Sequence, residues 1–230
     1  MQEELGSVRG LWRYPVKSLR GEALDLVELD ARGVVGDRVW ALRDADGKLA
    51  SGKTTRRFRK VMGLMQHSAR YEGEEPVVTL ADSGELPASD DVARRMAGDG
   101  WRMAREADVP HHDAAPLHLV TSATLATLAQ AAGHPVEVDR LRPNILVDAG
   151  AAEGFAEDAW LGRELLIGDA RLRVLDRTER CVMPTHAQAG LEPRRRLLKT
   201  IGRANEACAG VYLEVLEPGP IRLGDWVRQA

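Results

Sequence analysis

Cysteine is scarce in this chain: residues 181 and 208 are the two cysteines among 230 residues. They share no close CxxC spacing, which excludes a disulfide framework, a zinc ribbon and an iron–sulfur cluster of the protein's own. Long apolar runs are missing too, and nothing approaches the roughly 20 residues that cross a bilayer. The opening Met1-Gln2-Glu3-Glu4-Leu5 is acidic and lacks an apolar core, so no secretory signal peptide is expected. With a formal net charge of −3 there is no global pull toward nucleic acid or anionic lipid. No internal repeat or low-complexity tract occurs. These absences predict a soluble protein of a reducing cytoplasm, with no nucleic-acid or membrane partner. What is present is 44% hydrophobic residues, enough for one good core or two small domains closely packed.

Short alternating segments dominate the chain. Strands are predicted over 8–14, 23–29 and 76–80, across 61–71, over 117–120, 138–148, 165–167 and 172–175, and over 211–215 and 225–227. Asp46-Gly47 and Gly168-Asp169 read as hairpin turns. Helices are few: 89–97, with Ser89 or Asp90 as cap and Gly98 as stop; 122–132, capped by Ser122 and ended by Gly133; and 192–206. Residues 101–115, poor in aliphatics, make the best boundary. Many short strands, frequent Gly/Pro turns and few helices describe a mainly β protein, a barrel or sandwich with helical inserts.

Cys181 carries the most chemistry. It leaves a strand end between Arg180 and Pro184, with Arg177 close in sequence. Neighbouring cations raise the thiolate fraction, and a thiolate suits a soft or high-valent metal or sulfur transfer. The competing reading is a small apolar residue in a barrel wall. The corner Tyr14-Pro15-Val16-Lys17-Ser18 can set a point charge and a hydroxyl against an anion, or form an ordinary surface turn. Arg38 can reach across a barrel mouth or pair with Asp37. Lys53 to Lys60, the densest basic run, reads as a loop beside an anionic ligand or as a solvated loop; a barrel holding RNA on it is the weakest alternative. Thr121 and Ser122 lie at a strand-to-helix turn, where free N–H groups favour an anion and simple capping also suffices. His111 and His112 are adjacent, so they point apart and lack zinc spacing.

Together the motifs Tyr14-Pro15-Val16-Lys17-Ser18, Gly36-Asp37-Arg38-Val39-Trp40, Leu141-Arg142-Pro143-Asn144-Ile145, Glu157 to Arg163 and Arg180-Cys181 resemble the MOSC family (molybdenum cofactor sulfurase C-terminal domains) preceded by its N-terminal β-barrel region. The resemblance covers nearly the whole chain and implies a β-barrel MOSC fold, with the N-terminal region over 1–110 and the MOSC domain over 111–230. It also implies a molybdenum cofactor (molybdopterin) between the two halves, with Cys181 as metal ligand and catalytic centre. Lys17, Ser18 and Arg38 would hold the pterin or its phosphate; Thr121, Ser122, Arg142, Asn144, Arg180 and Thr185 would complete the pocket. The implied activity is reduction of a small N-hydroxylated or N-oxide-type substrate, with electrons from an external flavin or iron–sulfur protein. The alternative makes Cys181 a persulfide carrier served by a cysteine desulfurase. The run after Cys181 departs from the Thr-Thr-Val-Asp pattern of better-characterised members: Pro184 removes a hydroxyl and an N–H, and the acid is missing.

Overall fold

A computed structural model describes residues 3–107 and 110–230. Seven strands close into a barrel in the order Glu4–Arg13, Ile145–Asp148, Leu117–Thr121, Cys208–Glu217, Ala170–Glu179, Glu164–Ile167, Trp226–Gln229 and back to Glu4–Arg13. Neighbours are antiparallel except Leu117–Thr121 and Ile145–Asp148, whose parallel pairing needs the crossover that helix Ser122–Ala132 supplies. The first strand pairs with two strands from the C-terminal half. The barrel therefore crosses the boundary expected near residue 110.

Alternation sets the barrel interior. In Ala170–Glu179 the side chains of Ala170, Leu172 and Val174 point inward and are fully buried. The pairing register shifts between Val174 and Asp176, yet the alternation persists, with Leu175 outward and Thr178 inward. Each such Leu or Val contributes roughly 1.5–3 kcal/mol by burial. Strands from 40–60 and 102–105 form a four-stranded sheet in the N-terminal half, and Ser68–Glu72, Glu75–Leu80 and Gly84–Pro87 form another. They share a core with Val16, Leu19, Leu42, Val78, Val92 and Trp101. The chain is mainly β, as the sequence predicts.

Ser89 caps helix Asp90–Ala97 by accepting from the Val92 N–H, and Gly98 follows it. Other expectations need correction. The strand predicted over 138–148 is a helical turn, Val138–Leu141, followed by strand Ile145–Asp148. Arg140 causes this. Its guanidinium is fully buried, reaches back to Glu137 and donates to the Glu192 carbonyl at 2.7 Å, which a strand would not permit. Residues 61–71 divide into a 3₁₀ turn Leu64–Gln66 and strand Ser68–Glu72, because Gly63 adopts a positive φ of 81° that breaks the run. Helix Leu197–Asn205 begins later than predicted, after the Arg194 N–H has tied the chain back to the Thr185 carbonyl at 3.0 Å.

Candidate functional site

Between the barrel and the N-terminal sheets lies a cavity. It gathers Lys17, Ser18, Arg38, Arg142, Asn144, Arg180 and Cys181 from four separate stretches of sequence. Five cations (Lys17, Arg38, Lys53, Arg142, Arg180) face two acids (Asp113, Glu179) in its lining. Cys181 is a half-buried free thiol.

The backbone at this site is strained. Among the described residues, five non-glycine residues have positive φ, and three of them line the cavity: Ser18 at 68°, Arg38 at 52° and Arg142 at 54°. Such conformations cost about 1–3 kcal/mol each and persist where the surroundings over-determine them. Here the surroundings are specific. Buried Asp37 accepts from the Tyr14 N–H at 2.7 Å and pairs with Arg38. The Tyr14 ring is then covered by two guanidinium groups, with Arg38 at 4.7 Å and Arg142 at 4.3 Å from its centroid. Arg142 also donates to the Leu19 carbonyl at 2.6 Å.

Lys17 is 4% exposed. It binds Asp113 at 2.7 Å and sits 4.9 Å from the Phe58 centroid. Burial pushes its ammonium down to about 8 against the pull of Asp113, and burial likewise lowers Arg142 to about 10. Arg180 is lowered by the same cause. Cations held this way are short of counter-charge. Two of their N–H groups, Arg142 Nη2 and Arg180 Nε, are buried with no hydrogen-bond partner. An anionic ligand carrying acceptor atoms would satisfy both deficits.

Several expected residues take other roles. The Ser18 hydroxyl donates to the Ala50 carbonyl at 3.0 Å, so it offers the cavity an acceptor rather than a donor. Asn144 accepts from the His118 N–H and donates to the Trp12 carbonyl, bracing the wall. Thr121 and Ser122 do not face the cavity. Thr121, not Ser122, caps the helix by accepting from the Thr124 N–H, and its hydroxyl donates to buried Glu157. Ser122 bonds Asp148. Thr185 donates to the Val182 carbonyl at 2.7 Å within the 3₁₀ turn that Pro184 starts, and it too is absent from the lining.

Sequence reasoning missed His118 and Tyr212 in the wall. A signal was present: His118 is the one ionisable residue inside the run Leu117-His118-Leu119-Val120. Burial lowers it well below the usual histidine range, so it is neutral between the Arg142 and Ala209 carbonyls. Gly210 makes room for it, since a Cβ there would lie 2.3 Å from His118 Nε2.

Comparison with known proteins agrees with this architecture. The sequence matches the MOSC N-terminal beta barrel domain over residues 5–113 and the MOSC domain over 106–228. It is 25% identical to mitochondrial amidoxime reducing component 2 of Rattus norvegicus, over 97% of this chain and 83% of that one. It is 23% identical to mitochondrial amidoxime-reducing component 1 of Homo sapiens, over 97% and 82%. The crystal structure of the YUAD protein from Bacillus subtilis shares the fold, with a TM-score of 0.55 at 14% identity, over 100% of this chain and 98% of that one. Among the described residues no helix is long and apolar enough to cross a membrane. A closed barrel with a second β unit docked on it, matched end to end by these two domain descriptions, makes the chain a member of the MOSC family with its N-terminal β-barrel domain.

Proposed function

We propose that this protein holds a molybdenum cofactor in the cationic cavity through Cys181 and reduces small N-hydroxylated compounds. The observation that carries the reading is the pairing of a half-buried thiol with buried, unpartnered arginine N–H groups in one cavity. The donor set fits the group. No cluster of three His, Cys, Asp or Glu residues suited to a metal ion occurs among the described residues, so a metal here would take one thiolate from the protein and its other ligands from elsewhere. A pterin dithiolene with a phosphate tail brings such ligands together with a dianion. The similarity to the amidoxime reducing components of rat and human supports the substrate class.

When bound, the cofactor supplies two-electron removal of oxygen from an N–O bond. The chain's own residues bind and orient. Cys181 would be the thiolate ligand, Lys17, Arg38, Arg142 and Arg180 would neutralise the cofactor's anionic groups, and Ser18 would offer an acceptor. Asp113, tied to Lys17, keeps that ammonium fixed in the wall. Electrons come from a separate flavin or iron–sulfur protein, and the reading places the protein in the cytoplasm.

The test is the metal and pterin content of protein purified from a molybdenum-replete host. Near-stoichiometric molybdenum in the wild type, its loss in a folded Cys181→Ala variant, and conversion of an amidoxime to an amidine and water by the wild type but not the variant, with an external two-electron reductant supplied to both, are expected. Metal-free protein carrying an extra sulfur on Cys181 would overturn the reading in favour of a persulfide carrier.

A further inference from the structure

Next to the cationic cavity is a second recess with a different character. Its walls are Val61, Met62, Leu64, Met65, Met183 and His186. Met183 lines both recesses, so they adjoin at a point two residues beyond Cys181. We propose that this recess seats the uncharged aryl or alkyl body of the substrate, its polar head lying toward Cys181. The assignment rests on the reductase reading for that orientation, but the recess and its ligand chemistry stand on their own geometry.

Three observations carry it. First, the wall is set by residue 52, which has no side chain, so Met183 and His186 pack directly against its backbone. A Cβ on Gly52 would lie 2.5 Å from Met183 Sδ and 2.8 Å from His186 Nε2, so both atoms close on the glycine. Second, the wall is rich in thioether. Methionine is unbranched and polarizable, and it adapts to aromatic and aliphatic guests of varied shape. Met62 stands at the rim with 60% of its surface exposed, a large apolar side chain left in water where a guest would cover it. Third, His186 Nε2 is buried with no partner. With Gln66 it provides oriented hydrogen bonding in a mostly apolar lining, the usual composition of a small-molecule site. The two halves of the protein meet here: the Ala189 N–H donates to the Met65 carbonyl at 3.1 Å, fixing the loop that carries Met183 and His186 against the N-terminal wall.

Among the described residues, no carboxylate, lysine or arginine lines the recess. Cations therefore collect anionic cofactor groups on one side of Met183, and thioethers sort the substrate on the other. Among N-hydroxylated compounds this favours neutral aryl and longer alkyl ones over methyl or ionic ones.

Fluorescence titration with neutral N-phenyl-1-naphthylamine tests the assignment on the purified full chain, with or without cofactor. Saturable binding at one site is expected. Gly52→Val, which drives a side chain between Met183 and His186, should weaken it at least tenfold. Met62→Glu, which alters an exposed rim residue and leaves the core alone, should do the same by placing a charge at the mouth. Leu175→Ser, an exposed apolar residue on the far strand, should leave it unchanged. Probe binding that is non-saturable, or that both Gly52→Val and Met62→Glu leave intact, overturns the assignment; if Gly52→Val does not fold, the Met62→Glu result decides. Saturable, variant-sensitive binding in a protein lacking amidoxime reduction supports the recess and refutes the reductase reading instead.

Discussion

Lys17→Met separates what the cavity is built for from what stabilises the fold. The Lys17 ammonium is buried, and its ordinary value of 10.5 is lowered to about 8. At about 1.36 kcal/mol per pH unit, the charged form costs the folded state about 3 kcal/mol relative to the unfolded chain. That figure already includes the pull of Asp113. Methionine has similar length, keeps contact with the Phe58 ring and brings no charge, while the released Asp113 is more than half exposed and can be hydrated. The variant should therefore be about 1–3 kcal/mol more stable than wild type at pH 7, when neither holds cofactor. In a chain of this size that corresponds to roughly 2–4 °C in Tm per kcal/mol. The pH dependence has a definite sign. Below about 8 the penalty is fully present in the wild type. As pH rises from about 8 to 10.5 the folded state gives up its proton before the unfolded state does, so this group makes wild-type stability climb over that window. The advantage of the variant should shrink over the same window and vanish at its upper end. Urea denaturation from pH 7 to 10.5 measures both. A variant less stable than wild type at pH 7, or an advantage that does not change with pH, would refute the account of Lys17 as a cation held against its own solvation. The same variant should lose cofactor, which makes the stability gain a loss of function.

Other positions give equally direct tests. Glu157 is fully buried and accepts from the hydroxyls of Thr121 and Thr124, and burial raises its carboxyl above the ordinary carboxylate value. Glu157→Ala should cost about 2–3 kcal/mol by chemical denaturation, while Glu157→Gln, which keeps an acceptor, should stay within about 1 kcal/mol and should lose the wild-type decline in stability as pH rises above 4.5. Arg140→Ala leaves Glu137 and the Glu192 carbonyl without their donor and unties the segment after Cys181; a loss of about 3–5 kcal/mol in thermal unfolding is expected, and Arg140→Lys should recover only part of it. Gly210→Ala meets both a positive φ of 86° and a Cβ clash with His118 and the Leu119 carbonyl, so it should destabilise by about 2–4 kcal/mol and disturb the cavity wall.

The parts of the fold that were readable from sequence are those set by local chemistry. The hairpin from Glu164 to Glu179 follows from period-two alternation around the two-residue turn Gly168-Asp169. The helix from Asp90 follows from a serine cap and a glycine stop. The unreadable parts are those where a distant partner overrides local preference. Arg142 precedes a proline, which disfavours helical and left-handed backbone alike, yet it sits at φ 54° because its guanidinium stacks on Tyr14 and bonds Leu19, more than 120 positions away. Val138 to Leu141 reads as strand until Arg140 is given carbonyls to hold. The candidate site divides the same way. Cationic residues within two positions of a glycine or proline, such as Lys17, Arg38 and Arg142, stand out in a sequence and gather in the cavity. A threonine and serine at a strand-to-helix turn look like anion binders, but Thr121 caps the helix and Ser122 bonds Asp148. The apolar recess left no motif, since methionines at 62, 65 and 183 and a glycine at 52 acquire a common purpose only when two halves of the chain are brought face to face. Charge that cannot be solvated announces a site in one dimension; absence of a side chain does so only in three.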